Sequence, residues 1–107
     1  KSRVMEVALR SAVQPPLEIM EACVNALPLI SACAEKGSVV AVSDAGVAAS
    51  LCRAALEGAS LNVLINTQTM QDRAYAEALN LRARQMLSVA GVAADEIYKK
   101  VAARLGA

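Results

Sequence analysis

The sequence contains no histidine, tryptophan or phenylalanine, and its aromatic content is 2%, from two tyrosines. Without histidine it lacks the commonest general base near neutral pH and the commonest protein metal ligand. Without aromatic platforms, base stacking on single-stranded nucleic acid is excluded. Charge of one sign is also missing: 11 Lys+Arg oppose 10 Asp+Glu, a net +1. No basic stripe exists to meet a phosphate backbone, so no nucleic-acid partner is expected. The three cysteines, Cys23, Cys33 and Cys52, are odd in number and form no C-x-x-C. That excludes a disulfide framework or zinc site and predicts small buried hydrophobes in a reducing, cytoplasmic setting. There is no Gly-rich phosphate loop and no G-x-S-x-G elbow, and no metal or cofactor is expected. No secretory pattern is visible, and the charge-free stretches Ala22–Ala34 and Gly58–Gln71 are too short to span a bilayer, so no membrane partner is expected.

What the 107 residues do contain is small and apolar: 56% are hydrophobic, most of the excess being alanine. Alanine helices pack closely but bury little area each. A chain of this length buries roughly 65% of its unfolded surface. Exposed apolar helix faces are therefore expected, as in an oligomer or a part of a larger domain. The opening Lys1-Ser2-Arg3, with no Met and no cap before a mid-helix pattern, fits a part.

Helical periodicity covers almost the whole chain, and the expected class is all-α, a long-helix bundle of about four helices. The first runs over about 1–13, with Val4, Ala8, Leu9 and Ala12 on one face. Pro15-Pro16 ends or kinks it. The second spans about 15–36, with a stripe of Leu17, Met20, Val24, Leu27 and Ser31; Pro28 should bend it, and Gly37 stops it. Gly37–Val42 reads as an extended connector. Ser43 is the expected N-cap of a third helix, with Asp44 beside it at the positive end of the dipole. Val47, Leu51, Ala54, Gly58, Leu61 and Ile65 then repeat at 4, 3, 4, 3, 4, the spacing of a coiled-coil seam. Glycine inside a helix costs about 1 kcal/mol relative to alanine, so Gly58 suggests close approach of another backbone. A fourth helix starts near Thr69 or Met70 and runs to the end, with Gly91 a candidate break.

Two polar pairs stand out on the third helix. Asn62 and Asn66 lie four residues apart on an apolar helix and share a face. They serve either an interhelical polar contact or recognition of a polar ligand edge such as a pterin ring. Ser43 and Asp44 serve either as a cap or as a ligand group. Asp44 and Asn62 are five whole turns apart and point the same way, but roughly 27 Å separates them along the helix. One chain cannot bring both to one small group. They fit opposite ends of a long ligand, or two symmetry-related sites in a dimer. Arg53, within the small-residue helix, is a candidate partner for a carboxylate tail.

Ser43-Asp44, the Val47-Ala48-Ala49 that follows, and Asn62-Val63-Leu64-Ile65-Asn66 at that separation resemble the formiminotransferase-cyclodeaminase family, which includes bacterial methenyltetrahydrofolate cyclohydrolases. Leu9-Arg10-Ser11-Ala12-Val13-Gln14-Pro15-Pro16-Leu17 upstream, and Asp72 to Tyr75 with the long helix downstream, are similar too. The resemblance implies a dimeric, cytoplasmic, all-α domain acting on tetrahydrofolate one-carbon derivatives as substrate. One branch closes 5-formiminotetrahydrofolate to 5,10-methenyltetrahydrofolate with release of ammonia; the other hydrates the methenyl bridge to 10-formyltetrahydrofolate. Residues 1–107 would be the C-terminal half of such a domain, without its N-terminal half, and no catalytic residue carries over. The end at Ala107 favours the cyclohydrolase branch. The folate-binding candidates are Asn62, Asn66, Ser43 and Asp44. Where many members have Gly-Asn-Pro-Asn, this chain has Gly37-Ser38-Val39-Val40. The alternative function is a non-catalytic helical self-association module; expected partners are a folate and either a second copy or the missing N-terminal half.

Overall fold

The computed structural model describes residues 2–107; Lys1, where the first helix is expected to begin, lies outside them. All regular structure among them is α-helical: α1 (Ser2–Ala12), α2 (Gln14–Lys36), α3 (Val39–Thr67) and α4 (Arg73–Arg104). The body is long and narrow, 57 × 18 × 17 Å. Only Val13 separates α1 from α2, and helical bonding runs across it, from Val13 N–H to Leu9 O at 3.0 Å and Leu17 N–H to Val13 O at 3.4 Å. Pro15 and Pro16 do not end the rod, because they fall in the first turn of α2, where proline's fixed φ suits a helix, and the bonds made by Val13 and Leu17 on either side carry the chain past them. The bundle is therefore three rods, with α1 and α2 forming one.

The α2–α3 reversal is tighter than the extended connector expected over Gly37–Val42. Ser38 is the N-cap of α3, its Oγ accepting from Ala41 N–H, and Val39–Val42 are already helical. Ser43 is thus inside the helix and caps nothing. Gly37 permits the reversal: a Cβ there would lie 2.6 Å from Cys33 O and 2.9 Å from Ala41 Cβ. At the opposite end Asp72 is the N-cap of α4, so that helix begins later than the expected Thr69 or Met70. Asp72 Oδ1 accepts from Tyr75 N–H at 3.1 Å. Arg73 donates back to the carbonyls of Thr67 (2.8 Å) and Met70 (3.0 Å), satisfying acceptors left over at the end of α3. Arg104 does the same for α2, reaching Ala34 O at 2.8 Å.

The core forms where α3 lies against α2 and α4. Every seventh residue of α3 faces inward: Val42, Ala49, Leu56 and Val63 are each at most 1% exposed. Leu17, Met20 and Leu27 of α2 and Ala76, Ala83, Ala90, Ala94 and Val101 of α4 meet them. Small residues bring α3 and α4 together, most tightly at Gly46, where an added Cβ would sit 2.8 Å from Val101 Cγ1. Val24, expected on the inward stripe of the second helix, is 37% exposed, and Val89 of α4 is 74% exposed. Gly91 does not break α4 and has open space where its Cβ would be. Cys23 is buried, Cys52 half-buried, but Cys33 is exposed, against expectation, because it sits on the outer face of the last turns of α2. Burial pushes the Cys23 thiol pKa up, with neighbouring Cys52 adding to it.

No α1 residue is fully buried: of the predicted face Val4 is 72% exposed, Ala8 and Ala12 are exposed, and Leu9 packs half-buried against the core. Two polar residues add to its hold. The Glu6 carboxylate accepts from the N–H groups of Gln71 (2.8 Å) and Asp72 (3.1 Å). Arg10 pairs with Asp72 at 2.9 Å and lies 4.0 Å over the Tyr75 ring. The two N–H donors hold Glu6 below the usual carboxylate range. Because the folded value is the depressed one, this support is present at neutral pH and is lost as pH falls through it. Amide protection factors in residues 2–12, taken relative to the intrinsic exchange rate at each pH, should therefore fall on acidification, and Glu6→Gln should show the lower protection already at pH 7.

By length and composition alone, Ser2–Lys36 and Val39–Thr67 are each apolar enough to cross a membrane, with 28% of the scored stretch buried within the chain. The estimate from charge-free runs missed this because isolated charges interrupt both. Two glycine substitutions test the packing by thermal unfolding. Gly46→Ala should destabilise by about 1–3 kcal/mol through overpacking against Val101. Gly91→Ala, in open space on a helix, should stabilise by up to about 1 kcal/mol.

Candidate functional site on α3

The heptad row that buries Val42, Ala49, Leu56 and Val63 dictates what the opposite side presents. A residue half a turn away from that row faces outward. The predicted seam falls there: Val47, Leu51, Leu61 and Ile65 are 57–66% exposed, and Ala54 and Gly58 are exposed with them. The seam exists, but this chain does not bury it. Nor does any backbone of the chain approach Gly58, whose Cβ position is open.

The polar pairs lie along this outer side. Asn62 is exposed and Asn66 half-buried. Asn66 Nδ2 donates to Asn62 O at 2.8 Å, so the carboxamide turns back onto its own helix rather than to a neighbouring one. Asp44 is exposed in the second turn of α3. Ser43 is half-buried at the edge of a shallow depression of about 390 Å³ that it shares with Val47, Tyr98 and Leu105. The structure thus brings Asn62 and Asn66 together, and Ser43 and Asp44 together, but leaves the pairs at opposite ends of one straight helix.

Arg53 already has carboxylates of its own. It pairs with Asp95 of α4 at 2.8 Å and with Glu57 at 3.8 Å. Lys99 reaches Asp95 at 2.9 Å, and these cations hold Asp95 below the usual range, Lys99 contributing most. Arg82 pairs with Glu21 between α4 and α2.

Two features escape sequence reasoning. Thr67 Oγ1 donates to Asn80 Oδ1 at 2.6 Å between α3 and α4, both residues buried. The available signal was an amide within the apolar row Ala76-Leu79-Asn80-Ala83. The second is an apolar groove of about 460 Å³ between α2 and α4, floored by Leu27, Ala90 and Ile97 and open beside Pro28, Met86 and Val89. It forms because Ala90 and Ala93 are too small to fill the space across from Pro28. No group of three or more Cys, Asp or Glu side chains able to hold a metal occurs among the described residues.

The fold and its outer face define a class: a small-residue helical bundle whose central helix carries two separated polar pairs flanking an exposed apolar seam. The sequence profile of formiminotransferase-cyclodeaminase matches residues 1–85. The chain belongs to the formiminotransferase-cyclodeaminase family. It is 35% identical over 101 residues to a methenyltetrahydrofolate cyclohydrolase of Methylorubrum extorquens, covering 94% of this chain and 49% of that protein. It is 31% identical over 100 residues to the formimidoyltransferase-cyclodeaminase of Rattus norvegicus, covering 94% of this chain and 18% of that one. The chain therefore spans about half the length of the first and under a fifth of the second.

The Thr67–Asn80 bond gives a separate test. Thr67→Val keeps the shape but leaves the Asn80 oxygen without its donor, which should cost about 1–3 kcal/mol in chemical denaturation.

Proposed function

We propose that this chain is the C-terminal half of a domain that converts tetrahydrofolate one-carbon derivatives, with 5,10-methenyltetrahydrofolate as substrate and 10-formyltetrahydrofolate as product. The observation that carries this reading is the alignment with a methenyltetrahydrofolate cyclohydrolase along 94% of the chain at 35% identity. In that reaction water adds to the methenyl carbon, the resulting tetrahedral carbon sits between two nitrogens, and the carbon–N5 bond breaks as N5 takes a proton. The chemistry requires proton transfer. This chain contains no histidine, so what it can itself offer to proton transfer is carboxylates, amines or bound water. Cyclodeamination of 5-formiminotetrahydrofolate is the related reaction, supported by the similarity to the rat protein.

Asn62 and Asn66 are assigned to the polar edge of the pterin, which offers donors and acceptors matching a carboxamide. Ser43 and Asp44 belong to the far end of the ligand or to a site shared between copies. A cytoplasmic setting goes with this reading. A self-association role without catalysis is the second reading, favoured by one observation: the apolar seam of α3 is left outside.

The test is direct. Loss of the methenyl chromophore should be followed in a protein that supplies the whole domain. Asn62→Ala with Asn66→Ala should weaken folate affinity tenfold or more, about 1.4 kcal/mol or above. Unchanged affinity and turnover would remove the site assignment. Release of ammonia from 5-formiminotetrahydrofolate, with no methenyl hydrolysis, would select the cyclodeaminase reaction instead.

A further inference from the structure

The sulfhydryls of Cys23 and Cys52 are neighbours that no local spacing in the sequence reveals. Gly37 and Ser38 turn the chain from α2 into α3. Cys23 stands two heptads before that turn and Cys52 two heptads after it. Both therefore lie about 21 Å from the reversal and level with each other. The same row sets Ile30 level with Ala45 one heptad from the turn, and Pro16 level with Ala59 at three. Pro16, Ala45 and Ala59 are buried and Ile30 packs against the core, so the row is a line of contact between the two helices. It runs along the flank away from α4. On α2 the α4 side is taken by Val24 and Ser31, which line the groove with Met86 and Ala93. On α3 it is taken by Gly46, Arg53 and Thr67, which meet Val101, Asp95 and Asn80.

Within that row the Cys23 and Cys52 sulfhydryls are hydrogen-bonded to each other. Alanine on either side of Cys52 in the row lets α2 and α3 lie close, which a bridge needs because disulfides require Cα atoms within about 7 Å. Access to the two differs. Cys23 is 8% exposed and Cys52 half-buried, so an oxidant arriving from solvent meets Cys52 first. Cys33, exposed near the end of α2, stands about 15 Å along the bundle from the level of either and reaches neither.

We propose that Cys23 and Cys52 form an oxidation site for hydrogen peroxide, closing a reversible disulfide between α2 and α3. The Cys52 thiolate attacks one peroxide oxygen; an S–O bond forms, the O–O bond breaks, and the departing hydroxide leaves as water with the proton Cys52 has shed. The Cys23 sulfur then attacks the sulfenic sulfur of Cys52. The S–S bond forms, the S–O bond breaks, and hydroxide leaves as water with the Cys23 proton. Two thiols give up two electrons and the peroxide becomes two waters. The contact with Cys23 gives the sulfenic acid a thiol to condense with before further peroxide carries it to the irreversible sulfinic acid. Burial keeps Cys23 itself protonated and unreactive until then. The bridge encloses the whole α2–α3 reversal and pins α3 near its middle, between the Ser43–Asp44 and Asn62–Asn66 pairs. The site rests on thiol geometry and is independent of the folate reading.

Hydrogen peroxide added to the folded, fully reduced chain carrying Cys33→Ser tests the site. After alkylation and tryptic cleavage, segment 11–36 should be joined to segment 37–53, and the intact chain should be two hydrogens lighter at single-copy mass. Both thiols should disappear together and return with dithiothreitol. The oxidised chain should unfold roughly 5 °C or more above the reduced one, since the bridge restricts the unfolded chain. In the same background Cys23→Ala should stop at a Cys52 sulfenic acid that takes up dimedone, with no gain in unfolding temperature, and Cys52→Ala should leave Cys23 unlabelled. These two variants report the order of attack, while the bridge is read in a chain whose core is unaltered. Cys52 carried to sulfinic acid with Cys23 still free, or a bridge formed only between two copies, would overturn the site. Dimedone on Cys23 of the folded Cys52→Ala chain would overturn the order.

Discussion

The bundle depends on how closely α3 can lie against its two neighbours. Alanine and glycine at the helix–helix contacts set that distance, and Gly46 beneath Val101 marks its limit. Close-packed interiors leave little slack, so one methyl group at that point must displace something. The side chains that fill the remaining space, Leu17, Met20, Leu56 and Met70, are few and fully enclosed. Thin helices bring a second consequence. Each has only a narrow inner face, and the apolar residues that do not fit there end up outside.

That division explains what was legible in the sequence and what was not. The class was legible because alanine favours helix, no segment alternates as a strand does, and Gly37 marks the reversal between α2 and α3. The orientation of α3 was not. Its outer face carries Val47, Leu51, Leu61 and Ile65 at seam spacing, while the inner row mixes Val42, Leu56 and Val63 at equally regular spacing with the small Ala45, Gly46, Ala49 and Ala59. A periodicity search finds two competing apolar rows, and the outer one, with no alanine or serine among its four large members, reads as the core. With apolar residues on both sides, pattern alone has no polar face by which to orient the helix. The cap was misplaced for a related reason. Ser43 and Ser38 are equally good cap residues, and only the close approach at Gly37 decides between them.

The polar residues divide in the same way. Asn62 and Asn66 are legible as a pair because four-residue spacing on a helix implies proximity, and the bond between them is there. Asn80 and Thr67 are 13 residues apart on different helices and read as ordinary residues, yet they make the buried side-chain bond between α3 and α4. Arg53 drew attention as a lone cation in an apolar stretch; its partner Asp95 lies 42 residues away. Sequence shows spacing within an element, and pairing between elements waits on the fold.

The clasp of α1 has a meaning for how the molecule assembles. Glu6 and Arg10 meet Gln71 and Asp72 across 62 to 66 residues of chain. The α2–α3 and α3–α4 contacts instead join neighbours in sequence through short reversals. Loop-closure entropy rises with the length enclosed, and contacts distant in sequence form late. Yet what waits on that late event is two carboxylates, a guanidinium and a ring at the surface, beyond the half-buried Leu9. The first helical turns thus behave as a latch, closed after the bundle has condensed and able to open without disturbing it.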